Sequence, residues 1–291
     1  MPELPEVETV VLGLRELLRG RVVKNITTDW PKSLRVSDSR IKSDILGQEI
    51  TGLRRVGKMI LIDLQNNNTL VIHLKMTGQL VYKKVKDGES AEDFGAGHPS
   101  DSLISRLPDK TTRVILTLDG RAVLYFNDMR KFGWIKVLSS GEIEESSLIN
   151  QLGPDLLKID SKEFIQRLSK RGKNIKSCLL DQTIVSGCGN IYADESLWAS
   201  KIHPGMPACE LTHKQLGNLH RNLQDVLRFS IKQGGSSSRN YVNALGLKGK
   251  YLDFVNVYQK AGSPCARCQT PIERIVVASR GTHLCPVCQK I

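Results

Sequence analysis

The chain has 291 residues, 40% hydrophobic and 25% charged, which is enough for two domains that each bury a core. Its 42 Lys and Arg against 30 Asp and Glu leave a formal charge of +12, which points to a polyanionic partner, nucleic acid ahead of a membrane surface. Neither a secretory leader nor an apolar run long enough to span a bilayer is visible, so a cytosolic place is expected, where seven cysteines argue for metal or free thiols over disulfides.

The chain opens Met1-Pro2-Glu3-Leu4-Pro5-Glu6. Pro2 is small enough for Met1 to be trimmed, which would leave a proline nitrogen as the terminus. A terminal amine titrates near about 8, against about 10.4 for lysine, so far more of it is a neutral nucleophile at neutral pH. Attack on an aldehyde by a secondary amine yields an iminium, a good electron sink. Glu3 beside it can move protons. The plainer reading is a loose terminus ahead of a helix. Pro5 and Glu6 suit a first helical turn, Val7, Val10, Val11, Leu14, Leu17 and Leu18 recur at helical spacing, and Gly20 ends the run.

Residues 21–83 and 113–138 read as short strands, such as Met59–Leu64, Thr69–Leu74, Arg113–Leu118 and Arg121–Phe126, with turn signals at Asn66-Asn67-Asn68 and Asp119-Gly120. That pattern predicts a β-sandwich or a flattened barrel. Residues 84–110 are polar, rich in Gly, Ser and Asp, and read as a surface loop. Helical periodicity takes over across 143–233, in Phe164–Leu168, Ile175–Leu180, Ile191–Ala199 and Lys214–Ile231, until Gly234-Gly235-Ser236-Ser237-Ser238 breaks it.

Cys265-Ala-Arg-Cys268 and Cys285-Pro-Val-Cys288, with sixteen residues between the pairs, have the spacing of a four-thiolate zinc site. Four cysteines leave no coordination position open, so this one zinc is expected to hold shape and do no chemistry. Arg280 sits at a glycine turn between the pairs, where a zinc ribbon in a basic protein suggests a phosphate contact. Gly187-Cys188-Gly189-Asn190 opens a helix whose amides could receive a phosphate, or where Asn190 is simply the N-cap. Asn127-Asp128-Met129-Arg130-Lys131-Phe132-Gly133 places cations and an aromatic ring in one turn, the composition of a wedge that fills the gap left by an extruded base. A hairpin with solvated charges explains that turn nearly as well. Lys58 follows Gly57 at a strand start, and the six histidines show no ligand spacing.

Together these pieces resemble the formamidopyrimidine-DNA glycosylase family along almost the whole chain. The motifs that carry the resemblance, in one order, are PELPEVETV (2–10), HLKMTG (73–78), NDMRKFG (127–133), GCGNIYADESLWASKIHP (187–204), GGSSSRNYVNALG (234–246) and PIERIVVASRGTHLCPVCQK (271–290). The resemblance implies an α+β fold: a leading helix and β-sandwich catalytic domain over 1–140, a helix–two-turn–helix domain over 141–233, a lesion-capping loop and linker over 234–254, and a zinc finger over 255–291. It implies a bifunctional glycosylase and abasic-site lyase acting as a monomer on oxidised purines in double-stranded DNA, in a bacterial cytoplasm. Pro2 would attack C1′ and Glu3 would act as general acid and base. Lys58 would assist β-elimination, and Arg280 would contact phosphate and assist δ-elimination. Met76, Arg130 and Phe132 would fill the space of the flipped nucleotide, while Arg171 and Asn190 would hold phosphates. Its rivals are an endonuclease VIII-like enzyme for oxidised pyrimidines and a catalytically idle DNA-binding zinc protein. The sequence departs from the family's pattern at Asp109–Arg113, where the family usually carries histidine, and in the length of 84–110.

Overall fold

The computed structural model describes residues 1–86, 89–97, 107–236 and 249–291. They form two compact units, Met1–Asn150 with Gln233–Leu252, and Gln151–Lys232 with Asp253–Ile291.

In the first unit, α1 (Leu4–Leu18) has Pro5 in its first turn, where the helix needs no amide donor, and the acidic Glu6 at its positive end. Val7, Val10, Val11, Leu14 and Leu18 are all buried, as the helical period requires of a core-facing stripe. Each contributes about 2 kcal/mol of apolar transfer free energy. Among the described residues the strands that follow are β1 (Val23–Thr28), β2 (Ile50–Val56), β3 (Met59–Leu64), β4 (Asn68–His73), β5 (Gly78–Lys86), β6 (Glu89–Gly97), β7 (Thr112–Leu118), β8 (Ala122–Asp128) and β9 (Trp134–Ser139). They make two antiparallel sheets, ordered β1-β7-β8-β5-β6 and β2-β3-β4-β9. Ile60, Ile62, Leu70 and Ile72 of one sheet share a core with Leu80, Tyr82, Leu116, Leu124 and Phe126 of the other and with the apolar face of α1. This is the expected sandwich with a leading helix.

The registers bring three turns to one end of that sandwich. Val56 pairs with Met59, Met59 with His73 and His73 with Trp134, while Gly78 pairs with Asp128. The turns 57–58, 74–77 and 129–133 therefore all leave from this end.

One expectation is corrected here. The stretch 84–110 is not a single loop, because β5 runs on to Lys86 and Glu89–Gly97 pairs with it in register from Lys86↔Glu89 to Gln79↔Gly97. Glu89-Ser-Ala-Glu-Asp-Phe-Gly-Ala-Gly has no apolar alternation, so nothing local marks it as a strand. The backbone groups along the edge of β5 supply what composition does not. Residues 98–106 lie outside the described part.

The second unit holds α2 (Ser161–Leu168), α3 (Ile175–Leu180), α4 (Asn190–Ser200) and α5 (His213–Lys232). Asp160 and Asn174 cap α2 and α3 by accepting Glu163 N and Ser177 N, each at 2.8 Å. Leu216, Leu219, Leu223 and Leu227 line the buried face of α5. The chain ends in a hairpin of β10 (Glu273–Val277) and β11 (Arg280–Leu284), joined by Ala278-Ser279 with both residues at positive φ, a type I′ turn. No helix among the described residues is long and apolar enough to cross a membrane.

Candidate active site and zinc centre

Pro2 and Glu3 are buried at the start of α1, Glu3 to 3% exposure, while Met1 ahead of them is exposed. Glu6 organises this start. Its Oε2 accepts Glu3 N at 2.8 Å and its Oε1 accepts Ser236 N at 2.7 Å, so one carboxylate joins the helix entry to the root of the 234–236 segment. Residues 237–248, most of the expected capping loop, lie outside the described part.

Lys58 occupies the β2–β3 turn behind Gly57, whose φ of +56° at the first turn position needs glycine. That turn is fastened to α1 by a buried guanidinium. Arg55 Nε donates to Glu8 Oε2 at 2.6 Å and Arg55 Nη1 donates to Gly57 O at 2.9 Å. The helix that begins beside Glu3 and the strand that ends at the 57–58 turn are thus joined by an ion pair whose partners lie 47 residues apart.

His73, which no spacing in the sequence singled out, belongs to the same neighbourhood. It pairs with Met59, and its Nδ1 accepts Lys75 N at 3.0 Å. Burial, reinforced by the charges of Lys75 and Lys58, pushes its imidazole down to about 3. A neutral ring therefore stands next to the turn bearing Lys58 throughout the physiological range. Because the folded ring binds its proton more weakly than the unfolded one, stability from this source is complete above about pH 6.5 and is lost as pH falls toward 3. At pH 4 the loss should reach up to about 3 kcal/mol. Urea midpoints followed from pH 7 to pH 4 should fall more steeply for the wild type than for His73→Gln, and parallel curves would show that His73 does not titrate this way.

Met76 and Phe132, the expected wedge residues, are exposed by 37% and 51%. Arg130 lies with its guanidinium carbon 4.8 Å from the centre of the Phe132 ring, within cation–π reach.

Arg171, Asn190 and Arg280 all lie in the second unit. Arg171 is exposed beside Glu163, Gln166, Arg167 and Lys170 around an open hollow of about 490 Å³, and its carbonyl accepts Cys209 N at 3.0 Å. Gly189, not Asn190, is the N-cap of α4. Asn190 instead reaches across to the hairpin and donates from Nδ2 to Gly281 O at 3.0 Å, which sets it next to Arg280. The same hairpin is anchored by Lys176, buried completely, whose Nζ donates to Asp194 Oδ1 at 2.6 Å and to Thr282 Oγ1 at 2.7 Å. Asp194 Oδ2 in turn accepts His283 N at 2.9 Å. Sequence reasoning missed Lys176 and Asp194, since their 18-residue separation carries no pattern until the hairpin folds between them.

The four cysteine sulfurs lie within 4.8 Å of one another. Cys268 Sγ is 3.4 Å from Cys285 Sγ and 3.5 Å from Cys288 Sγ, near the about 3.8 Å edge of a tetrahedron with zinc–sulfur bonds of about 2.3 Å. Amides also turn toward the sulfurs, Arg267 N to Cys265 at 3.5 Å and Cys288 N to Cys285 at 3.4 Å. The donor set fits one structural zinc. Trp198, Val257 and Ile272 pack around it, and Arg267 locks the first pair to α4 through Trp198 O at 2.6 Å and Ala199 O at 3.0 Å.

Family models match this layout segment by segment: a formamidopyrimidine-DNA glycosylase N-terminal domain over residues 1–135, the H2TH domain of the same enzymes over 152–242, and a zinc finger found in FPG and IleRS over 262–291. A formamidopyrimidine-DNA glycosylase of Chloroflexus aurantiacus is 40% identical over 99% of this chain and 98% of its own length. The chain belongs to the formamidopyrimidine-DNA glycosylase family. Two solved structures extend the match to three dimensions. A Lactococcus lactis FPG mutant in complex with a Fapy-dG containing DNA has a TM-score of 0.86 at 33% identity, with all of both chains covered. The wild-type Lactococcus lactis FPG with an oxidised-pyrimidine containing DNA has a TM-score of 0.85 at 33% identity, again with both chains fully covered. Membership places this chain among DNA glycosylases with an FPG-type zinc finger. Arg113, at the end of the 109–113 stretch, is buried and serves the fold, donating to Asp29 Oδ2 at 2.6 Å and to Asp128 O at 3.0 Å.

Proposed function

We propose that the chain excises 8-oxoguanine and formamidopyrimidines from double-stranded DNA and then cuts the strand by β,δ-elimination, with Pro2 as nucleophile. The observation that carries this reading is the buried Pro2-Glu3 start of α1, held by Glu6 and tied through Glu8 and Arg55 to the turn bearing Lys58. Exposed Met1 is open to removal, which would convert the Pro2 nitrogen from an amide to an amine.

The amine lone pair forms a bond to C1′ as the glycosidic bond breaks, and the proton that the nitrogen sheds leaves with the departing base. Glu3 donates a proton to the sugar ring oxygen, the ring opens, and the nitrogen becomes a positively charged Schiff base. That cation accepts the electron pair released when the C2′ proton is removed, and the 3′-phosphate leaves. A second elimination expels the 5′-phosphate, with Arg280 offsetting the charge of the phosphate it contacts. Lys58 moves protons at the sugar from its turn. The formal charge of +12 supplies the salt-dependent grip on the duplex.

Borohydride trapping on a duplex with 8-oxoguanine opposite cytosine tests the reading: a covalent protein–DNA adduct is expected, and its absence overturns it. Oxidised pyrimidines are the second reading, favoured by the Lactococcus lactis complex with such DNA, and excision of thymine glycol in parallel separates the two. A further expected result concerns Lys58. Lys58→Ala should slow release of 8-oxoguanine about tenfold or more while cleavage at a ready-made abasic site, where Pro2 attacks directly, falls much less. Equal loss on both substrates would confine Lys58 to the elimination steps if the thermal midpoint is unchanged, and to folding if it falls.

A further inference from the structure

The residues read as the wedge, Met76 on one turn and Arg130 with Phe132 on another, belong to different connections of the sandwich. A wedge works as one body only if those turns keep a fixed offset. Asp128, at the end of β8, is completely buried and its carboxylate lies between them. Its Oδ1 accepts the hydroxyl of Thr77, the residue next to Met76, and also Arg130 N at 3.2 Å. Its Oδ2 accepts Gly133 N at 2.7 Å, closing the turn that carries Phe132. Thr77 Oγ1 in turn accepts Arg130 N at 3.0 Å, so its single proton is committed to Asp128.

The surroundings are shaped for this arrangement. A side chain at position 133 would begin 2.5 Å from Phe126 Cζ and 3.1 Å from Asp128 Oδ2, so only glycine lets the turn approach the carboxylate. Behind it, Arg113 donates to Asp128 O at 3.0 Å and to Lys110 O at 2.5 Å, bracing the strand end from which the turn departs. The turn bearing Met76 is itself closed by Gly78 N donating to Leu74 O at 2.9 Å. Ordinary turn capping needs one such bond. Here one buried carboxylate spends both oxygens on two turns separated by 51 residues.

We propose that Asp128, acting through Thr77, is the positioning residue that locks the two wedge-bearing turns together, so that Met76, Arg130 and Phe132 enter a duplex as one preset unit. The inference rests on the proposed function, in which these three side chains fill the place of the extruded nucleotide. An amide at 128 replaces the carboxylate poorly: with its NH2 group toward Gly133 it meets a fixed N–H donor, and with it toward Thr77 it meets the Arg130 N–H and forces the hydroxyl from donor to acceptor. Thr77→Val keeps the shape and removes the link, and Thr77→Ser keeps the link.

The test uses the full-length zinc-loaded protein and three variants, Thr77→Val, Thr77→Ser and Asp128→Asn. Single-turnover rates are measured on a duplex with 8-oxoguanine opposite cytosine and on a single-stranded oligonucleotide with a ready-made abasic site, which has no stack to open. 2-Aminopurine placed beside the lesion reports wedge entry, and thermal midpoints report folding. Thr77→Val and Asp128→Asn should slow duplex excision about tenfold or more and weaken the 2-aminopurine signal, while single-strand cleavage stays within about twofold and Thr77→Ser behaves as wild type. Duplex excision by Thr77→Val within about twofold of wild type overturns the inference. So does a parallel fall on both substrates with a lowered thermal midpoint, which would leave Asp128 a purely structural residue. A wild type that excises no lesion overturns the proposed function itself and this inference with it, a result distinct from an active wild type matched by Thr77→Val.

Discussion

Blocking the Pro2 nitrogen should abolish borohydride trapping and reduce excision at least about a thousandfold, as loss of a covalent nucleophile does in other enzymes. The expectation follows from the chemistry of the terminus. An amine with a pKa near about 8 is substantially neutral at pH 7.5, and no lysine matches that without a large shift. Two proteins make the comparison: one whose extra N-terminal residue is verified by mass to remain, and Pro2→Gly. The first keeps the helix start and the contacts of Glu6 with Glu3 N and Ser236 N, so duplex binding should persist while the covalent adduct disappears. Pro2→Gly should likewise bind and fail to trap. Normal trapping by the extended protein would move the nucleophile elsewhere, and the lysine of the 57–58 turn would be the next to replace.

Loss of zinc should have the second largest effect, on grip and on the δ-elimination that Arg280 assists, and not on base release. A four-thiolate site closes the metal's coordination sphere, so the ion can only hold the hairpin, at about 10 kcal/mol or more of coupled folding free energy. Cys268→Ser should release the metal and melt residues 265–288, and with them the contacts that place Arg280: Asn190 to Gly281 O and Lys176 to Thr282 Oγ1. The first unit, with Pro2 and Glu3 in a separate core, should stay folded. Arg280→Ala, with zinc retained, should weaken duplex binding about 10- to 100-fold, the worth of one charged hydrogen-bonded contact. It should also make the log–log salt dependence shallower by about one unit. Duplex affinity at several salt concentrations, with zinc content measured alongside, decides it. If Arg280→Ala binds as tightly as wild type with the same slope, Arg280 touches no phosphate and the ribbon serves only to cap the helices of its unit.

What the sequence determined by itself is the chemistry written into neighbouring residues. Pro2 can become an amine because of where it stands, and two C-x2-C pairs can close on a zinc because each pair is one knuckle. The helix from Leu4 and the strands from Met59 and Ala122 were legible because a buried face imposes its period on every turn or every second residue. What only the tertiary structure decided are the partnerships of buried polar groups. Asp128 reads in sequence as one acid in a charged turn, Glu8 carries no signal of its own, and Asn190 reads as a cap or a phosphate contact. Folding gives them Thr77 across 51 residues, Arg55 across 47 and Gly281 across 91. The strand at Glu89–Gly97 was hidden for the same reason, since it is paired by the backbone of β5 and not by its own side chains. An apolar residue needs only to be buried, and any apolar neighbour will serve, so its pattern shows locally. A buried donor or acceptor needs one particular partner at hydrogen-bond distance, and the path of the chain alone determines which residue that is.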